Sequence, residues 1–156
     1  MKLHHYKTKV EWTGNLGEGT STYKAYSRNH VISADQKLMD IPTSSDSAFR
    51  GDPERYNPEE LFLSSLSSCH MLWYLHLCTV NKIVVESYVD QAEGTMEESE
   101  GGSGRFTEVV LKPIVTIKDE SLIDKAVALH EQANKMCFIA NSCNFEIKHN
   151  PQTLSV

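Results

Sequence analysis

The chain has 156 residues, 40% of them hydrophobic and 23% charged. This is the balance of an ordinary globular domain, long enough to bury a core without staples, so disorder, a collagen-like repeat and a disulfide-bonded miniprotein are excluded. Lys and Arg total 15 against 21 Asp and Glu, for a net charge of −6. No basic block offsets that charge, which argues against a nucleic-acid binder.

The start, MKLHHYKTKV, has no apolar h-region, so no secretory signal is expected. Tyr6, Thr8 and Val10 interleave with His5, Lys7 and Lys9, and Trp12 continues the period, which predicts a first strand. Residues 15–19 (NLGEG) match no phosphate-loop spacing and read as a hairpin turn. A second strand is predicted at 20–26, and shorter ones at 31–33 and 37–39. Residues 42–57 (PTSSDSAFRGDPERYN) carry the residues of a loop.

The pattern then changes. Asn57 suits an N-cap, Pro58 the first helical position, and Glu59 and Glu60 the positive end of a helix dipole. From Leu61 to Thr79 apolar residues fall on nearly every face, which predicts a buried central helix at 58–80. Ser64, Ser65, Ser67, Ser68, His70 and His76 make it too polar to span a membrane. A strand is predicted at 83–94, an acidic, glycine-rich turn at 97–104 and a strand at 106–117. A helix follows at 121–137, with Asp119 and Ser121 as caps and Leu122, Ile123, Ala126, Val127, Leu129, His130, Ala133 and Met136 as its stripe. A closing strand covers 144–149. There is no internal repeat and no long linker, so residues 1–156 read as one domain. The order is α+β and not alternating βαβ.

The four cysteines are Cys69, Cys78, Cys137 and Cys143. Without an export signal they suggest reduced thiols and a cytoplasmic protein. None forms a Cys-x-x-Cys pair. Structural zinc sites use tight pairs, so His70, His76 and His130 beside these cysteines do not predict a metal centre. Cys78 reads as a small core hydrophobe, and Cys143 as the same at the mouth of a strand. Cys69 follows a run of serines that lets a substrate approach closely. Cys137 sits where the second helix ends. A thiol redox pair needs proximity and a group that lowers one thiol's pKa.

The segment Asn57-Pro58-Glu59-Glu60-Leu61-Phe62, with a small-residue run ending in Cys69, resembles the OsmC/Ohr family of thiol peroxidases. The downstream segment from Cys137 to Ser142 matches that family's second motif, with Phe138 where proline is usual. With His70 after the first cysteine, the chain is similar to an OsmC-like branch. The resemblance implies antiparallel sheets wrapped around the central helix, in an intertwined α+β homodimer. It implies reduction of organic hydroperoxides, and for some members hydrogen peroxide, with Cys69 as the peroxidatic cysteine and Cys137 as the resolving one. Glu59 then holds an arginine that stabilises the Cys69 thiolate. The early glycine-rich loop has no arginine, so Arg50 takes this role, with Arg55 and Arg28 as alternatives.

Phe49, Phe62 and Phe138 are candidates to line an apolar substrate pocket, and Trp73 is assigned to core packing. His70 is read as structural, with delivery of a proton to the leaving alkoxide as the alternative. No metal or bound cofactor is expected. The partners implied are an organic hydroperoxide and an external dithiol reductant, either a lipoyl group or a small thiol, with neither nucleic acid nor membrane. The competing reading is a binding or redox-signalling protein of the same fold for a hydrophobic ligand, with little peroxidase activity.

Overall fold

The N-terminal alternation yields β1 (Lys9–Trp12), antiparallel to β2 (His30–Ser33), which pairs antiparallel with β3 (Ile41–Thr43). These elements come from a computed structural model that describes residues 2–156. The chain divides into two compact units, Met1–Leu61 and Phe62–Val156.

In the first unit, the predicted strand at 20–26 is instead a series of turns. The Asn15 side chain accepts the N–H groups of Gly17 and Gly19 at 2.9 and 3.0 Å. Both glycines take left-handed backbone, which a side-chain-bearing residue resists. Arg28 donates to the carbonyls of Tyr23 and Tyr26, and its guanidinium lies 4.2 Å from each of their ring centres. Backbone that turns to meet these groups cannot run as a ladder, and only Tyr26 forms an isolated bridge, to Asn15. The predicted strand at 37–39 is also absent. Gln36 turns left-handed, Leu38 and Met39 are exposed, and the strand begins at Ile41, so it runs past the predicted start of the loop.

α1 (Pro58–Val80) has the bounds its caps predict. The Asn57 side chain accepts the Glu60 N–H at 2.8 Å, and the Glu60 carboxylate accepts the Asn57 N–H at 3.1 Å. This reciprocal capping box satisfies two donors that the helix start would leave open. Leu66, His70, Tyr74, Leu77 and Cys78 form the buried face, while Leu72 on the opposite side is 63% exposed.

In the second unit each predicted long strand breaks once. β4 (Val85–Asp90) and β5 (Glu93–Glu98) divide the first, and β6 (Gly104–Leu111) and β7 (Pro113–Ile117) divide the second. The halves pair antiparallel as β4·β7 and β5·β6, in different sheets. Asp90 holds the break. Its carboxylate accepts the Lys112 N–H at 2.7 Å and the Ser67 hydroxyl at 2.5 Å.

α2 (Ile123–Met136) follows a 3-10 turn whose cap is Asp119, and buries Ala126, Leu129, His130 and Ala133. The closing strand is only β8 (Ile147–His149), and an unforeseen β9 (Gln152–Ser155) follows it. Both join in parallel, β8 to β6 and β9 to β7, so these sheets are mixed. One core gathers Tyr74, Leu77 and Cys78 with Val115, Ile117, Leu129 and Ala133. A second gathers Leu66, Val109, Leu111 and Ile147. Each fully buried aliphatic side chain there contributes about 1.5–3 kcal/mol. Among the described residues, no helix is long and apolar enough to cross a membrane.

Candidate active site

Helical spacing sets the surroundings of Cys69. Residues three, four and seven apart share a face, so Phe62, Ser65, Trp73 and His76 lie in the Cys69 row of α1. The Ser65 hydroxyl turns back to the Phe62 carbonyl at 2.6 Å. Trp73 meets His76 edge-to-face at 5.8 Å and Phe138 at 5.6 Å.

Cys137 ends α2 in extended backbone and is 1% exposed, whereas Cys69 is half-buried. Burial pushes the Cys137 thiol well above its ordinary value. The Ala140 N–H, which donates to its sulfur at 3.4 Å, opposes that rise, and the neighbouring Cys69 thiol adds to it. The two thiols are therefore neighbours, and both are free. Cys78 is packed in the first core, and Cys143 donates to the Ile139 carbonyl at 3.3 Å.

The other candidates are placed as follows. Phe62 stacks against Phe106, 4.9 Å between ring centres, at the edge of the second core. Phe138 is largely exposed beside Trp73. Trp73 itself packs against the first core and also meets Phe138, so it belongs to the thiol surroundings as well as to the core. Its position four residues after Cys69 is the sequence signal for that second role.

Phe49 lies in the first unit, in the 3-10 turn Ser47–Phe49, which Arg50 closes in left-handed backbone with its side chain 6.0 Å from the Tyr23 ring centre. Arg55 pairs with Asp52 at 3.2 Å, and Arg28 is held by the Tyr23 and Tyr26 carbonyls. Within this unit, and among the described residues, Glu59 forms an ion pair with none of these three arginines.

His70 and His130 are buried beside this region with His149 at their edge. Among the described residues, no three His, Cys, Asp or Glu side chains converge as metal ligands.

A family model described as OsmC-like protein matches residues 51–152, well over half of the chain. The chain is 30% identical to an OsmC-like protein of unknown function from Vibrio cholerae, with a TM-score of 0.84 over 96% of this chain and 99% of that one. It is 18% identical to an organic hydroperoxide resistance protein, OsmC, from Legionella pneumophila, with a TM-score of 0.68 over 100% of both chains. The Bacillus subtilis protein YmaD is 23% identical over 146 residues, covering 91% of this chain and 88% of its own. Sequence motif, element order and fold thus agree, and the chain belongs to the OsmC-like family.

Proposed function

We propose that this protein is a thiol-dependent peroxidase that reduces organic hydroperoxides to alcohols. The observation that carries this reading is that two free thiols, half-buried Cys69 and buried Cys137, are neighbours. The name of the Legionella relative points the same way.

The Cys69 thiolate attacks the peroxide O–O bond and becomes a sulfenic acid. The alkoxide that leaves takes one proton and departs as the alcohol. Cys137 keeps its own proton because burial disfavours its thiolate. When its sulfur bonds to Cys69, that proton leaves with the sulfenic hydroxyl as water. An external dithiol, lipoyl or small, then returns both cysteines to thiols and is itself oxidised to a disulfide. Arg50 supplies the cation that favours the Cys69 thiolate, because Arg55 and Arg28 are already engaged. Glu59 is the family's partner for that arginine. Phe62, Trp73, Phe138 and Phe49 provide apolar surface for a bulky hydroperoxide. The working form is a homodimer, supported by the apolar side chains exposed along α1 and the turn after it, such as Leu72, Val80 and Val84.

Turnover of cumene hydroperoxide with dihydrolipoamide tests the reading. The wild type is expected to turn over, Cys69→Ser to lose at least 1,000-fold, and Cys137→Ser to lose dithiol-dependent recycling. Wild-type turnover no faster than Cys69→Ser would remove the enzyme and leave ligand binding as the function.

A further inference from the structure

Three histidines with no part in the thiol chemistry meet inside the second unit. They come from three elements: His70 from α1, His130 from α2 and His149 from β8. His70 and His130 are both 0% exposed. Their rings lie nearly parallel at 5.3 Å, with His70 Nε2 at 3.0 Å from His130 Nδ1. One of these nitrogens donates and the other accepts. A second proton makes both of them donors and breaks the bond.

The remaining nitrogens matter as much. His70 Nδ1, His130 Nε2 and His149 Nδ1 are buried with no partner among the described residues. A proton added there makes a buried cationic N–H with no acceptor. The neighbours offer little relief. From α1, Tyr74 stacks on His130 at 3.9 Å, and burial keeps its phenol protonated. Tyr88 of β4, also kept protonated by burial, meets the Tyr74 ring at 5.8 Å between centres. On β8, Lys148 is drawn to Glu108. Glu131 of α2 touches the outer edge of His149 at 3.4 Å, and is shared with Lys135.

The cluster stands next to both thiols in the chain. His70 follows Cys69 directly, and Cys137 is seven residues beyond His130, about two helical turns. We propose that His70 and His130 are positioning residues that clamp the Cys69 helix to the Cys137 helix while neutral, and release it in weak acid. The clamp sets whether the two thiols meet and does not depend on which oxidant reaches them.

The sign follows from burial. It lowers His70 from 6.5 to about 4, with the His149 charge adding to the shift. It lowers His130 to about 3, with the charges of His70 and His149 adding. Between these values and 6.5 the opened form binds more protons than the closed one. The clamp therefore holds above pH 6.5 and weakens as pH falls through that window.

Peptide-resolved hydrogen exchange on the full chain at pH 7 and pH 4.5, corrected for intrinsic rates, tests this. In the wild type, protection of α2 and residues 137–143 is expected to fall at least tenfold in acid, while the β1-β2-β3 sheet holds. The double variant His70→Asn/His130→Asn lacks both titrating rings of the clamp, and is expected to show the same protection at both pH values. Unchanged wild-type protection, an equal fall in the double variant, or a parallel loss from the first sheet would overturn the clamp. Histidine ring NMR on the wild type gives a second reading if the double variant does not fold. Rings silent until below pH 5 support the clamp. Titration near 6.5 with α2 still protected would refute it.

Discussion

Cys137 and Arg50 show how single residues divide the work. Cys137 is the thiol that burial keeps protonated, and in the proposed mechanism it brings its own proton to the disulfide step. Arg50 sits in left-handed backbone at φ 65°, a conformation that costs a side-chain-bearing residue about 1 kcal/mol or more. Glycine accepts that backbone freely. Arg50→Gly is therefore expected to leave the melting temperature unchanged or slightly higher, while hydroperoxide turnover drops at least tenfold. Equal turnover at an unchanged melting temperature would pass the cation's role to another residue. The neighbouring Gly51 has no such freedom to change, since a Cβ there would meet the Ser45 carbonyl oxygen at 1.6 Å.

At the scale of elements, local signals carried the helices and long-range ones decided the strands. The start of α1 was legible because Asn57, Pro58 and Glu60 act within one turn. Asn57→Ala is expected to cost about 1 kcal/mol in a denaturant melt, with no change in the thiol contact. The break between β4 and β5 was not legible. It falls at Gln91 and Ala92, without glycine or proline, and is fixed by Asp90 reaching Lys112, 22 residues on. Asp90→Ala strands that N–H and the Ser67 hydroxyl, and is expected to cost about 1–3 kcal/mol by the same melt. β9 escaped notice because Gln152 to Ser155 becomes a strand only through parallel pairing with β7. The aromatic alternation at 20–26 misled for the opposite reason: Arg28 and Asn15 draw the backbone into turns. Within the site, the motifs named Cys69 and Cys137, whereas their proximity depends on how α1 and α2 pack. Among the described residues of its own unit, Glu59 has no arginine ion pair.

At the scale of the whole molecule, α1 leaves an apolar face open. Leu72 is exposed on the side opposite His70 and Tyr74, with Val80 and Val84 beyond it. The proposed dimer would place a second copy over that face of a helix that is apolar nearly all round. Light scattering after size exclusion is expected to give twice the chain mass for the wild type, and a monomer for Leu72→Asp. A wild-type monomer at micromolar concentration would contradict the dimer. Mass spectrometry after one equivalent of cumene hydroperoxide tests whether Cys69 and Cys137 are placed for oxidation. Rapid loss of two hydrogens through a Cys69–Cys137 disulfide is expected, with one added oxygen held on Cys69 in Cys137→Ser. A Cys69 that stays reduced for minutes would contradict that placement.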